Sequence, residues 1–281
     1  ALRTLVSRPL FVAVTVTTIG VGLAATTLAF AVVNALFIKQ AIGTDLPGFG
    51  AIVTGAVSED DLAAFREYEA FARDVPSLEV AGVARVPLSY RGDRGAETLW
   101  SLAVSQNYFD LIGARVARGR LFDSAGQGLA SAIVSERFWR DRLQGVSLAG
   151  LTMTLNGVDV AVIGVLSDDH RDPGGFYDPS VWIRLEDRDA LRLPRNVSDP
   201  SSRLLGLPAR LRGSATRALA QREVEAAARE LGRAWPATNA GRGARFRLLG
   251  DGNADMQALS AVAATAMVMV GLVLLIAIFN L

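Results

Sequence analysis

The sequence predicts an α+β domain, two lobes of mixed sheet with packed helices, held between two transmembrane α-helices. Three observations predict this. Residues 10–38 and 259–281 are long apolar runs without Asp, Glu, Lys, Arg or His. All 28 acidic residues lie between Asp45 and Asp255. Between the runs, short β-type segments and amphipathic helical patterns follow one another, with turn residues at their boundaries. The segmentation is residues 1–9 as a cytoplasmic flank, 10–38 as the first spanning helix, 39–255 as the extramembrane domain with an inserted lobe at roughly 90–195, and 256–281 as the start of the second spanning helix.

The first run exceeds the roughly 20 residues that a hydrocarbon core of about 30 Å requires. A cleaved signal peptide has an apolar stretch of only about 7–15 residues, so the run reads as a span. Thr18, Gly22 and Thr26 recur at four-residue spacing, as do Ala25 and Ala29 with Val21, which lays small side chains along one side. Such a stripe suits close packing against another helix in lipid; equally, Gly, Ala and Thr are common in spanning segments. The second run continues to Leu281, and the chain starts at Ala1 without a Met, so it reads as a fragment of a longer protein. Arg3 and Arg8 precede the first run and Lys39 follows it, a distribution that favours a cytoplasmic N-terminus.

Composition narrows the classes. With 51% hydrophobic and 20% charged residues and a mean hydropathy of +0.30, the 281-residue chain falls between a soluble enzyme and a polytopic transporter. The intervening domain carries 26 basic against 28 acidic side chains, which excludes the clustered basic excess of a nucleic-acid surface. Without Cys, disulfide and thiolate chemistry are excluded.

Along the domain, Ala51 to Val57 reads as a strand, and Ser58 with Asp61 as a capping box opening a helix whose inner face is Leu62, Phe65, Tyr68 or Glu69, and Ala72. Leu78 to Tyr90 and Glu97 to Val104 read as strands joined at a turn between Gly92 and Gly95. Asn107 to Ile112 is a short helix ended by Gly113; Gly126 to Gly128 is a loop; Ala130 to Val134 is a strand; and Ser135 caps a helix with Phe138, Trp139 and Leu143 inward. Asn156 and Gly157 form a two-residue hairpin turn between Leu151–Leu155 and Val158–Leu166, since both residues accept positive φ. Val181 to Leu185 and Leu204 to Leu211 are strands. A helix from Ser214 to Trp235 buries Ala218, Val224, Ala228 and Leu231, and Gly241 to Gly243 turns the chain into a last strand, Arg245 to Leu249.

No constellation for bond-breaking chemistry emerges. His170 is the single histidine, beside Asp168, Asp169 and Asp172, and reads as part of a solvated turn, because a zinc site recruits several His or Cys at defined spacing. Neither a nucleophile elbow nor a phosphate-binding P-loop is present. Asn196-Val197-Ser198 matches a glycosylation sequon, relevant only in a eukaryotic secretory pathway. Trp100, Trp139, Trp182 and Trp235 read as core packing.

Four ordered motifs then stand out: VSQNYFDLIG with Asn107, Tyr108, Phe109 and Gly113; GRLF with Gly119, Arg120 and Phe122; AIVSERFWRDRL with Trp139; and LNGVDVAVIGV with Asn156, Gly157 and Gly164. Together they resemble the periplasmic core domain of MacB-like ABC transporter permeases with an FtsX-type membrane region, most like the acidobacterial orphan branch. Two departures are QAIGTDLPGFG after Lys39, where that branch has a basic-Pro-Leu-Pro element, and a short loop around Asp123 to Leu129. The resemblance implies a non-catalytic permease subunit of the bacterial inner membrane with its main domain periplasmic. It also implies four spanning helices in all, a homodimer or pseudo-dimer in the lipid bilayer, and a cytoplasmic ABC ATPase, fused or separate, that carries ATP and Mg. A periplasmic adaptor is a further expected partner, whereas no cofactor or metal in this chain and no nucleic acid is expected. Efflux or extraction of a substrate, with motion transmitted through the helices, is the implied function. The alternative is the extracytoplasmic sensor or scaffold domain of a two-helix membrane receptor, which would continue into a cytoplasmic signalling linker; a membrane-anchored enzyme would need a convergent polar pocket.

Overall fold

The structure is a computed structural model. It describes residues 46–55, 62–92, 95–123, 130–170, 172, 179–193, 199 and 201–249, together with Thr17, Gly20, Ala24, Thr27, Thr265, Val268 and Gly271, which are helical. Among the described residues no helix is long and apolar enough to cross a membrane. The two apolar runs fall almost entirely outside them, as do Thr18, Gly22, Ala25, Thr26, Ala29, Ser58, Asp61, Gly126 to Gly128 and the Asn196 sequon. The chain divides into two compact units, residues 1–44, 173–176 and 252–281 in one and residues 45–172 and 177–251 in the other.

Among the described residues the second unit contains two main sheets and one two-stranded ribbon. The smaller has the order β13-β1-β12-β3, all antiparallel, from β1 (Phe49–Gly55), β3 (Leu78–Val80), β12 (Leu207–Leu211) and β13 (Gly243–Leu248). Helices α1 (Phe65–Asp74) and α4 (Arg217–Ala234) pack with it. On α4, Ala220, Val224, Ala227, Ala228 and Leu231 recur at helical spacing and are buried, in one core with the cross-strand pair Ile52 and Phe246. Thr216 caps α4, its Oγ1 accepting from the Leu219 amide at 3.3 Å, so the helix starts three residues after Ser214 and leaves Ala218 exposed.

The start of α1 differs more from expectation. Ala63 and Ala64 form β2 and pair with β11 (Arg203–Leu205), so the helix begins only at Phe65. Its first turn is closed by Glu67, whose Oε2 accepts from the Ala64 amide at 2.8 Å. The buried face is therefore Glu67, Ala70 and Phe71, while Leu62, 49% exposed, and Ala72 point outward. Of the predicted face, Phe65 and Tyr68 are half-buried and pack on the core, whereas Leu62 and Ala72 do not.

The larger sheet curls on itself. Its order is β6-β9-β7-β10-β5-β4-β8, with β6 at Val116–Gly119, and β8 also pairs with β9, so β4, β5, β10, β7, β9 and β8 form a closed ring. These are β4 (Val83–Gly92), β5 (Gly95–Val104), β7 (Ser131–Ser135), β8 (Thr152–Leu155), β9 (Val158–Leu166) and β10 (Val181–Arg184). β10 is parallel to β5 and β7 is parallel to β9, the other ring pairs being antiparallel. Alternate residues such as Val86, Leu88, Val134, Met153, Leu155, Val160, Val162 and Ile183 are buried in one core, and closure removes the exposed edges an open sheet would carry. Helix α3 (Glu136–Arg142), capped by Ser135 Oγ on the Phe138 amide at 3.2 Å, sets Phe138 edge-on to Tyr90 at 5.4 Å.

The predicted strand 78–90 is broken at Ala81–Gly82, where the chain leaves the small sheet and enters the ring. Asn156 (φ 50°) and Gly157 (φ 77°) form the expected hairpin turn. Of the four tryptophans, Trp139 and Trp182 are buried, but Trp100 is 58% and Trp235 45% exposed, so core packing does not account for all four. Trp235 instead lies under the Arg66 guanidinium at 3.7 Å, a stacking contact at the surface.

β6 (Val116–Gly119) adds to β9 beyond the ring, and the two strands cross at Gly119 opposite Gly164. A Cβ on Gly164 would lie 2.4 Å from the Arg120 carbonyl oxygen, so the crossing admits no side chain there. Gly164→Ala is expected to cost about 1–3 kcal/mol by forcing the backbones apart, read as a lower urea midpoint at an unchanged slope.

Candidate functional site

A linked set of polar contacts lies where β5, β10 and the turn after β9 meet α2 (Tyr108–Leu111). Ser105 follows β5 and is paired with the sheet crossover: its amide donates to the Gly82 carbonyl at 2.8 Å and its Oγ accepts from the Gly82 amide at 3.0 Å. Ser105 Oγ in turn donates to Asn107 Oδ1 at 2.8 Å, and Asn107 Nδ2 donates to the Val80 carbonyl at 3.0 Å. One short segment thus ties the last residue of β3 to the end of β5 and clamps the joint between the two sheets. A buried backbone group must find a partner, and at a point where a strand changes sheets side chains supply it.

Beyond the joint, α2 turns Tyr108 and Phe109 inward and ends at Ile112, with Gly113 at φ +66°. Phe109 packs against Phe122 at 5.6 Å and Trp182 at 6.2 Å. Into this aromatic cluster the turn after β9 sends Asp172, whose side chain is only 6% exposed. Its carboxylate accepts from the Tyr108 hydroxyl and, at 3.1 Å, from the Trp182 indole N–H. His170, expected in a solvated turn, is instead 10% exposed at its side chain, edge-on to Trp182 at 5.6 Å and to Phe109 at 6.3 Å, with Nε2 3.4 Å from Asp172 Oδ1. The Tyr108 phenol is held well above its ordinary range by burial first, then by the Asp172 charge and the hydrogen bond it donates. Asp168 lies outside this cluster and pairs with Arg140 at 2.6 Å. Among the described residues no group of three or more His, Cys, Asp or Glu is placed to hold a metal ion.

The structure brings Asn107, Tyr108, Phe109, Gly113 and Phe122 to this region, the hydrophobic members in one cluster with Trp182. Gly119, Arg120 and Gly164 form the strand crossing, where the Arg120 amide donates to the Ile163 carbonyl at 3.0 Å and its guanidinium pairs with Asp123 at 2.6 Å. Trp139 lies apart beneath Arg118, 4.6 Å from its ring centre, with its indole N–H on the Val146 carbonyl at 2.9 Å. Asn156 secures its own turn, accepting from the Ser89 amide at 2.8 Å and donating to the Leu191 carbonyl at 3.0 Å. Trp182 is in the core as expected, whereas Asp172, read with His170 as part of a solvated turn, is buried against it. Asp172 and Tyr108 are 64 positions apart, and an Asp in a loop rich in Asp, Pro and Gly carries no local sign of burial.

A closed mixed barrel is thus joined through a clamped crossover to a small helix-backed sheet. The chain belongs to the MacB-like periplasmic core domain family, whose pattern it matches over residues 12–227. Solved structures agree on the fold. The extracellular domain of the noncanonic ABC-type transporter YknZ from Gram-positive bacteria is 14% identical, with a TM-score of 0.50 over 71% of this chain and 99% of that one. The periplasmic region of MacB from Actinobacillus actinomycetemcomitans is 14% identical, with a TM-score of 0.50 over 76% and 94%. A domain of a putative permease from Porphyromonas gingivalis is 12% identical, with a TM-score of 0.52 over 72% and 91%. No curated protein is a significant match.

Proposed function

We propose that this chain is part of the permease subunit of a MacB-like ABC transporter. It passes motion driven by ATP hydrolysis on a cytoplasmic ABC ATPase to a periplasmic domain, for efflux or extraction of a substrate. The subunit resides in the bacterial inner membrane and pairs with a second permease; ATP and Mg bind the ATPase, and this chain makes and breaks no bonds. The observation that carries the reading is the pairing of β1 with β13. Gly50 stands opposite Leu248, so the segments leading from the first apolar run and into the second attach to one end of one ladder. Displacement of either run therefore acts on the same strand pair, and the Ser105–Asn107 clamp connects that sheet to the barrel.

These 281 residues contain no Cys, so a label introduced in them is the one thiol of this part of the subunit. In the complete permease with its ATPase in nanodiscs, a spin label at Thr98→Cys, exposed on β5, would report the distance between subunits. Trapping with ATP and vanadate is expected to move the main distance by about 5 Å or more, the scale of one helical turn. An unchanged distance in a complex that hydrolyses ATP would reject transmission and favour a sensor or scaffold.

A further inference from the structure

We propose that the free edge of β6 is a docking site for an extended acidic polypeptide segment, which joins the large sheet as an added strand. Among the described residues β6 pairs with β9 alone, and Ala117, Arg118 and Gly119 are exposed. An edge strand presents unpaired amides and carbonyls that another extended chain can satisfy.

Beside this edge is a concavity of about 430 Å³, lined by Arg118, Gly119, Trp139 and residues 145–149. Its shape is fixed from beneath. The Gly145 amide donates to the Trp139 carbonyl and the Trp139 indole N–H to the Val146 carbonyl, both at 2.9 Å, which holds the loop against the indole. Val146 remains 45% exposed at the rim, and the Arg118 guanidinium lies over the indole. Successive side chains of an added strand point to opposite faces, so every second one would meet this apolar floor and cationic rim.

Charge selects the occupant. Arg115, Arg118 and Arg120 fall within six residues and all are exposed. Arg118 meets Glu136 at 3.3 Å and Arg120 meets Asp123 at 2.6 Å, in exposed pairs that contribute little and can exchange for an incoming carboxylate. Arg115 has no ion pair among the described residues. A second copy of the same edge would set arginine against arginine, which disfavours self-pairing, whereas a strand bearing Glu or Asp is complementary. The site stands whether or not the chain transmits motion.

The probe is a fluorescein-labelled eight-residue peptide alternating Glu and Val, titrated into the full chain in nanodiscs at low salt. Saturable binding is expected, weakened by about tenfold or more when Lys replaces Glu in the peptide and when the protein carries Arg115→Glu with Arg118→Glu. Hydrogen exchange of the β6 amides is expected to slow as the acidic peptide binds. The proposal is overturned by equal binding of the Lys peptide, by binding that leaves exchange across β6 unchanged or is indifferent to the double variant, or by no binding up to about 1 mM.

Discussion

Glu67→Ala is expected to lower the unfolding free energy of the extramembrane unit by about 3–5 kcal/mol, because it strips the partner from a buried ion pair. Glu67 is 2% exposed and is the acceptor for three elements at once. Its carboxylate takes the Ala64 amide at the start of α1, Arg203 Nη1 of β11 at 2.6 and 2.5 Å, and Asn239 Nδ2 of α5 (Pro236–Asn239). Arg203 also donates through Nη2 to the Thr238 carbonyl at 2.7 Å, so the guanidinium cannot simply swing out to water without breaking a second contact. The cost is mainly that of leaving a partly buried guanidinium and two donors unsatisfied, which exceeds the net worth of the intact pair. Arg203→Met with Glu67→Leu, which removes both charges together, is expected to recover much of the loss. The exposed pair Arg73–Asp74, at 2.8 Å, supplies the contrast: Asp74→Asn is expected to leave the urea midpoint unchanged. A loss for Glu67→Ala no larger than for Asp74→Asn would mean that this network does not hold α1, β11 and α5 together.

What was legible in the sequence follows the range of the interaction involved. The Asn156-Gly157 turn, the Gly113 stop and the Ser135 cap are settled within a few residues by φ preference or a side chain reaching its own helix, and the structure has all three. The helix expected to run through Ala63 and Ala64 starts only at Phe65, because their pairing with β11, more than 130 residues away, claims those two residues for a strand. The acceptor that closes the first turn is then Glu67, which periodicity places nowhere near the core because its partner Arg203 is equally distant. Trp100 fails for a related reason. Strand alternation fixes only that it shares a face with Pro87, and which face of β5 is covered depends on ring closure through β8, a pairing with no signature in any single window. The same limit hid the β1–β13 ladder, whose strands stand at opposite ends of the domain.

Asp172→Ala is expected to cost about 2–4 kcal/mol, since it leaves the Tyr108 hydroxyl and the Trp182 indole N–H buried without their acceptor, at about 1–3 kcal/mol for each such group. A pH profile separates this from a merely local disturbance. The Tyr108 phenol is raised well above its ordinary 10.0, so the folded state holds that proton more tightly than the unfolded chain does. Its contribution is complete below pH 10 and is lost as pH rises from 10 through the raised value, so the wild-type domain is expected to lose stability progressively on the alkaline side. In Asp172→Ala, burial still raises the phenol, but the neighbouring charge and the donated hydrogen bond no longer add to it. The variant therefore starts lower at neutral pH, falls alongside the wild type just above pH 10, and levels off first, at its less raised phenol, after which the two stability curves converge. Tyr108→Phe removes the titrating group, abolishing this part of the alkaline slope whether or not Asp172 is present. Urea unfolding carried from neutral pH up to where the variant's curve levels off would read both effects. A variant curve that levels off at the same pH as the wild type would mean that the carboxylate does not act on Tyr108, and that the turn after β9 is held at α2 by the aromatic contacts of His170, Phe109 and Trp182 alone.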